Sequence, residues 1–261
     1  MLVSSVIRQI EAAAPPSTAL EWDNVGLLAG SPTATCYGVL VCLEVTLEVA
    51  DEASRLGTNL ILAHHPLIFR PLRSLRTDQP LGALIERLLE DDLAVYVAHT
   101  NLDASQSIGT AVALAEALGI EQARPLLAER EVSLGTVGNL PHAPRVESLV
   151  EHVRQALRPA RVTVVGDRGR QVRSLALMPG SGGDAVEAAA AASAEALLCG
   201  DLKHHDALDA LSLGLTVIDA THYATERPVV GKVAAYLRER LPQDVPVVES
   251  TVVTDPFAPA G

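Results

Sequence analysis

Short apolar runs alternate with amphipathic stretches along nearly the whole chain, so the hydrophobic period switches repeatedly between that of a strand and that of a helix. Residues 37–45, rich in Val and Leu, predict a strand, and 47–56 predict a helix that Gly57 closes. A strand follows over 59–63, a helix over 81–90, a strand over 93–98 and a helix over 110–118 stopped by Gly119. Strand–helix alternation of this kind requires crossover connections and gives a mostly parallel sheet.

The spacing changes after residue 125. Strands are predicted over 132–140, 161–165, 172–178, 196–199 and 215–219. Helices fall over 146–157, after the turn at 179–183, and over 207–213; a helix from about 226 to 240 and a strand over 245–253 close the pattern. The run 185–198 is alanine-rich but holds Glu187 and Glu195, so it predicts helix and no membrane span. The expected architecture is two interlinked α/β domains with mostly parallel or mixed sheets. Residues 1–125 with 220–261 form one domain and 126–219 the other, and no low-complexity linker separates them.

Chemistry enters at the strand ends. Six of the eight histidines (His64, His65, His99, His204, His205 and His222) lie just after apolar runs or in the turns that follow; only His142 and His152 lie elsewhere. In open α/β sheets ligands bind beyond the carboxyl ends of the strands. Carboxylates accompany the imidazoles: Asp103 is four residues after His99 and Glu226 four after His222, a spacing that joins side chains if the segment is helical. Mixed imidazole and carboxylate ligands suit zinc, iron, manganese or nickel, and this many donors could hold two ions with a bridging carboxylate. A metal cleft at the strand carboxyl ends, between the two domains, is therefore expected.

Composition narrows the partners. With 261 residues, 48% of them hydrophobic, the chain can bury a sizeable core. The start of the chain has no long apolar segment, so no secretory signal is expected. Cys36, Cys42 and Cys199 are odd in number and far apart, as in small buried residues of a reducing cytoplasm. A net charge of −12 disfavours non-specific nucleic-acid binding without excluding a local basic groove, and 3% aromatic content offers few stacking platforms.

Five stretches occur in order: Glu21-Trp22-Asp23-Asn24-Val25-Gly26-Leu27, His64-His65-Pro66-Leu67, His99-Thr100-Asn101-Leu102-Asp103, Gly200-Asp201-Leu202-Lys203-His204-His205-Asp206 and His222-Tyr223-Ala224-Thr225-Glu226. Together they resemble the Nif-three-like dinuclear metal-centre family, whose members often carry the name GTP cyclohydrolase 1 type 2. The resemblance implies that His64, His65, Asp103, His222 and Glu226 ligate two divalent ions, with Glu226 bridging. It implies an auxiliary ligand or proton-transfer role for His99, a place facing the same cleft for His205, and a supporting role for Asp23 and Asn24. It also implies two α/β domains and a ring-shaped homohexamer. Thr221 departs from the pattern, since many members have Gly before the final His.

Two other features compete for attention. Residues 179–183, Pro-Gly-Ser-Gly-Gly, follow a strand and open a helix; they lack the lysine of a phosphate-binding loop, and a structural turn is the favoured reading. Arg70, Arg73 and Arg76 recur at three-residue steps after the His pair, as a solvated face or as an anion clamp at the mouth of the metal cleft. Three functional readings stand at this point: a metal-dependent hydrolase of a small nucleotide-like substrate, a non-catalytic metal-binding, delivery or regulatory protein, and a metal-dependent nucleic-acid-binding or nuclease ring.

Overall fold

The computed structural model describes residues 1–126 and 134–257. Backbone contacts divide the chain into two compact units, Met1–Ile108 with Val230–Thr254, and Gly109–Val229 with Asp255–Gly261. The first unit begins with helix α1 (Val3–Ala13), β1 (Gly26–Ala29), β2 (Val39–Cys42), α2 (Leu47–Leu56), β3 (Leu60–Ala63), α3 (Pro80–Glu90), β4 (Ala94–Val97) and α4 (Thr100–Asp103). The second holds α5 (Thr110–Ala117), β5 (Glu121–Pro125), β6 (Thr136–Asn139), α6 (Val146–Leu157), β7 (Thr163–Val165), β8 (Ser174–Ser181), α7 (Val186–Ala191), β9 (Ala196–Gly200), α8 (His204–Ser212), β10 (Thr216–Asp219) and α9 (His222–Glu226). Helix α10 (Pro228–Arg238) and strand β11 (Val247–Glu249) follow, the strand in the first unit.

Each unit is built on its own mixed sheet, as the strand–helix alternation predicts. The first sheet runs β1-β4-β3-β2-β11, parallel except for β1. Every residue of β2, β3 and β4 is buried, which is why these strands read as unbroken apolar runs. Cys42 pairs with Ala63 and Ala63 with Val97, so the three strands end at one level. Glu44, His64-His65 and His99 therefore leave the sheet on the same edge. Helix α2 starts where the Thr46 hydroxyl accepts from the Val49 amide and stops at Gly57, whose φ is +70°.

The second sheet runs β5-β6-β8-β9-β10-β7, with β8, β9 and β10 parallel and the others antiparallel. Leu175, Leu177, Leu198 and Ile218 of the central strands pack on Leu149 and Val153 of α6 on one face. Ala176, Leu197 and Val217 meet Val186, Ala189 and Ala210 on the other. Met178 pairs with Cys199 and Cys199 with Asp219, again bringing strand ends level.

Several bounds differ from expectation for identifiable reasons. The alanine-rich run is helical only over Val186–Ala191; Ala196–Gly200 is a central strand because its five residues are all buried. Helix α8 starts at His204, three residues before its predicted start, so both His204 and His205 lie in its first turn. The predicted final helix is divided at Pro228, whose missing amide hydrogen cannot continue α9. The predicted strand 132–140 is observed as β6, while 132 and 133 lie outside the described residues. All three cysteines are buried, and burial pushes the Cys199 thiol up, with Asp219, Asp201 and Asp206 adding to the shift. Among the described residues no helix is long and apolar enough to cross a membrane.

One buried carboxylate fastens the last part of the first unit to α2. Glu52, 4% exposed, accepts from the Ser250 hydroxyl at 2.5 Å and from the Thr251 amide and hydroxyl at 3.0 and 2.5 Å. Burial opposes its ionisation, but these bonds and Arg55 outweigh burial and hold its carboxyl below the usual range. A depressed folded value contributes stability above the unfolded value of about 4.3 and loses it as pH falls toward the folded value. Glu52→Gln should therefore cost about 1–3 kcal/mol at neutral pH. That difference in thermal midpoint from wild type should shrink steadily below about pH 4; a pH-independent difference would count against a charged Glu52.

Candidate metal centre

Three imidazoles gather where β3 and β4 end. His64 and His65 follow β3 directly, and His99 precedes α4. Ring centroids are 4.9 Å apart for His64 and His65, 5.1 Å for His64 and His99, and 5.5 Å for His65 and His99. One ligand-type nitrogen from each lies within 4.8 Å of the others. His64 is buried and the other two are partly so. Asp103, at the end of α4, approaches the cluster through His64, with Oδ1 3.7 Å from Nε2.

Each of these rings is oriented through Nδ1 by an oxygen from another part of the chain. His64 Nδ1 donates to the Ala98 carbonyl at 3.1 Å, and His65 Nδ1 lies 2.9 Å from Glu44 Oε1. His99 Nδ1 lies 2.9 Å from Asp23 Oδ1. An acceptor at Nδ1 fixes the proton there in the neutral ring and makes Nε2 the nitrogen that can ligate a metal, and a carboxylate acceptor also raises its basicity. Asp23 is held in turn. Its side chain is fully buried; Oδ2 accepts from the Thr100 amide at 3.0 Å and the Thr100 hydroxyl at 2.6 Å, and Oδ1 from the Asn24 amide. Burial works against the charge, yet the bonds from His99 and Thr100 prevail and hold the carboxyl well below the usual range. Glu44 accepts from the Thr254 hydroxyl through its other oxygen, and Asn24 donates to the Ile68 carbonyl at 2.5 Å.

The second unit repeats the device. His222 Nδ1 is 2.8 Å from Asp201 Oδ2, and its Nε2 is 3.1 Å from Glu226 Oε1, the i,i+4 partner on α9. Glu226 is buried. Thr221 precedes His222 with φ +70° and ψ 153°, a region open to glycine and strained for a β-branched residue. Its hydroxyl accepts from the Ala224 amide at 3.4 Å and so caps α9. Two glycines leave room for this pair: a Cβ on Gly180 would stand 2.3 Å from Glu226 Oε1, and one on Gly200 would stand 2.4 Å from the His222 amide nitrogen. The amide of Gly180 donates to Thr225 Oγ1 and that of Gly182 to the Gly200 carbonyl. Residues 179–181 continue β8 past a register shift against β9 instead of forming the expected turn, and the segment works as structure around Glu226.

Helical spacing joins only one of the two His–carboxylate pairs expected from sequence. The His222–Glu226 spacing joins its pair, whereas the carboxylate bound to His99 is Asp23, and Asp103 approaches His64 instead. His205 is exposed on the first turn of α8, its ring 5.4 Å from that of His204. Glu44 and Asp201 carry no assigned role in the sequence analysis. The signal was available: each is an acidic residue within two positions of the end of a buried parallel strand, as the histidines are.

Imidazoles held through Nδ1 with carboxylates beside them form a donor set suited to borderline divalent cations. A model of the family described as Duf34/NIF3 (NGG1p interacting factor 3) matches residues 1–256. The chain belongs to the Duf34/NIF3 family. Among its Duf34/NIF3 relatives, a Clostridium perfringens protein named GTP cyclohydrolase 1 type 2 homolog is 32% identical over 262 residues, covering 98% of this chain and 99% of its own. A Streptomyces coelicolor protein of the same name is 35% identical over 267 residues, covering 98% and 93%. The crystal structure of a Bacillus cereus protein related to NIF3 superposes with a TM-score of 0.92 at 26% identity over 98% of both chains. Family and donor cluster together make this a metal-binding protein of the Duf34/NIF3 family.

Proposed function

We propose that the chain is a dinuclear metal-dependent hydrolase acting on a small nucleotide-like substrate. His64, His65, Asp103, His222 and Glu226 are the proposed ligands, with Glu226 as the shared carboxylate. The observation that carries the metal reading is the repeated anchoring of the proposed ligands His64, His65 and His222 through Nδ1, at 2.8 to 3.1 Å, which presents Nε2 as the ligating nitrogen of each. Bound divalent ions would supply Lewis acidity and a water whose pKa lies near 7. His99, fixed by Asp23, and His205 are the groups proposed to give and take protons, since imidazole does both near neutral pH. The nucleotide-like substrate is supported by the name shared by the Clostridium perfringens and Streptomyces coelicolor relatives. A toroidal hexamer in the cytoplasm completes the reading.

Metal analysis of the purified protein should give about two divalent ions per chain, and light scattering should give six chains per particle. Incubation of GTP with the metal-loaded protein should release formate. Two bound ions with no formate across zinc, iron, manganese and nickel would favour a metal-storing or metal-delivering protein over the cyclohydrolase.

A further inference from the structure

Beside the first-unit imidazoles stands an aromatic surface that metal ligation does not use. Trp22 is the sole tryptophan of the chain, and it immediately precedes Asp23, the carboxylate that orients His99. Its ring meets His99 edge-on, with centroids 6.2 Å apart and planes at 72°. It meets Phe69 in the same manner, at 5.8 Å and 62°. Phe69 is brought there by the segment that follows His64-His65. Both rings are exposed, Trp22 by 58% and Phe69 by 48%.

Leaving an indole and a phenyl ring in water forgoes the burial that would stabilise the fold by roughly 1.5–3 kcal/mol for each large apolar side chain. Here the two rings touch each other and one touches the metal cluster, so the exposure is concentrated at the site. Edge-type contacts set the plane of the indole while leaving face area for a parallel ring. Cations follow in sequence. Arg76 is tied to Asp78 by bonds of 2.9 and 2.5 Å, but among the described residues Arg70 and Arg73 form no ion pair, and both are exposed.

We propose that Trp22 and Phe69 form a stacking platform for the planar heterocycle of the ligand, whose anionic group meets Arg70 and Arg73. The proposal rests on the nucleotide-like substrate argued above and makes the base itself a recognised element. A protein side chain could also cover such rings. The contact with His99 and the neighbouring arginines favour a small molecule that joins a flat π-system to negative charge.

Because Trp22 is the sole tryptophan, protein fluorescence excited at its red edge reports on this platform alone. Full-length protein, metal-loaded and metal-stripped, is titrated with GMP, UMP and ribose 5-phosphate. Saturable quenching is expected with GMP and more weakly with UMP, and none with ribose 5-phosphate over the same range. By calorimetry Trp22→Ala should weaken GMP binding about 5- to 150-fold, the usual worth of one stacked base, and Trp22→Phe should restore it to within about threefold. Equal binding of GMP and ribose 5-phosphate, an unchanged affinity in Trp22→Ala, or no GMP binding at all would overturn the platform. Metal content measured on the same samples separates the two readings. A normal ion count without base-dependent quenching sinks the platform alone, and base-dependent quenching in protein that never retains metal sinks the metal reading alone.

Discussion

Glu226→Ala is expected to strip the protein of at least about half of its bound metal, the loss expected if one carboxylate serves both ions of a two-metal site. The side chain is buried, lies 3.1 Å from His222 Nε2, and is surrounded by backbone that makes room for it. A carboxyl group buried in such a place costs the fold unless a cation or hydrogen bonds compensate it. Elemental analysis after gel filtration is the direct measurement, with circular dichroism confirming that the variant is folded. Gly180→Ala provides an independent check with every donor intact. Its added methyl would press on Glu226 Oε1 from a glycine whose φ is +70°, so a smaller loss of metal is expected. Full retention of both ions in Glu226→Ala would overturn the bridging assignment.

A large loss of stability is expected from Gly200→Ala. A methyl there would stand 2.4 Å from the His222 nitrogen, 2.6 Å from the Thr221 carbonyl carbon and 2.7 Å from His222 Cα. All three are backbone atoms at the turn into α9, so no side-chain rotation can relieve the clash. Overpacking ordinarily costs about 1–3 kcal/mol and occasionally more, and three backbone contacts put this site at about 3 kcal/mol or above. At roughly 2–4 °C per kcal/mol for a chain of this size, the melting temperature should fall by about 6–12 °C. Gly57→Ala is the control: its φ is also +70°, but nothing lies within 4 Å of the added carbon, so only the left-handed backbone penalty of about 1–2 kcal/mol applies. Similar melting temperatures for the two variants would show that the turn can yield.

The parts of the fold that could be read from sequence are those whose burial is written in consecutive residues. Strands β2, β3 and β4 are buried on both faces, so Val39–Cys42, Leu60–Ala63 and Ala94–Val97 stand out as apolar runs. Strand β1 is apolar, Gly-Leu-Leu-Ala, but only four residues long and partly buried; β5 is exposed throughout with the sequence Glu-Gln-Ala-Arg-Pro and exists because β6 offers an edge, and such pairing leaves no hydrophobic trace. Helix α1 was legible in principle, with Val3, Val6, Ile7 and Ile10 on one face, yet it lies outside the strand–helix alternation. At the site, the histidines announced themselves by position. Their carboxylate partners did not, because Asp23 reaches His99 across 76 residues and Glu44 reaches His65 across 21. Helical spacing identified the Glu226 partner of His222 but could not reveal that a loop aspartate serves His99.

The Nδ1 anchors have a consequence for assembly. His64 is aimed by a carbonyl at the end of β4, His65 by a carboxylate beyond β2, His99 by a loop before β1, and His222 by a residue beyond β9. None of these rings is aimed by its own strand, so each is set correctly only when a neighbour is in register. Metal retention is then a proofreading signal: a chain with a slipped strand would have the same histidines and no grip. By mass action an ion bound there favours the registered sheet by RT ln(1 + [L]/Kd), so stripping metal is expected to weaken the strand pairing that aims the rings.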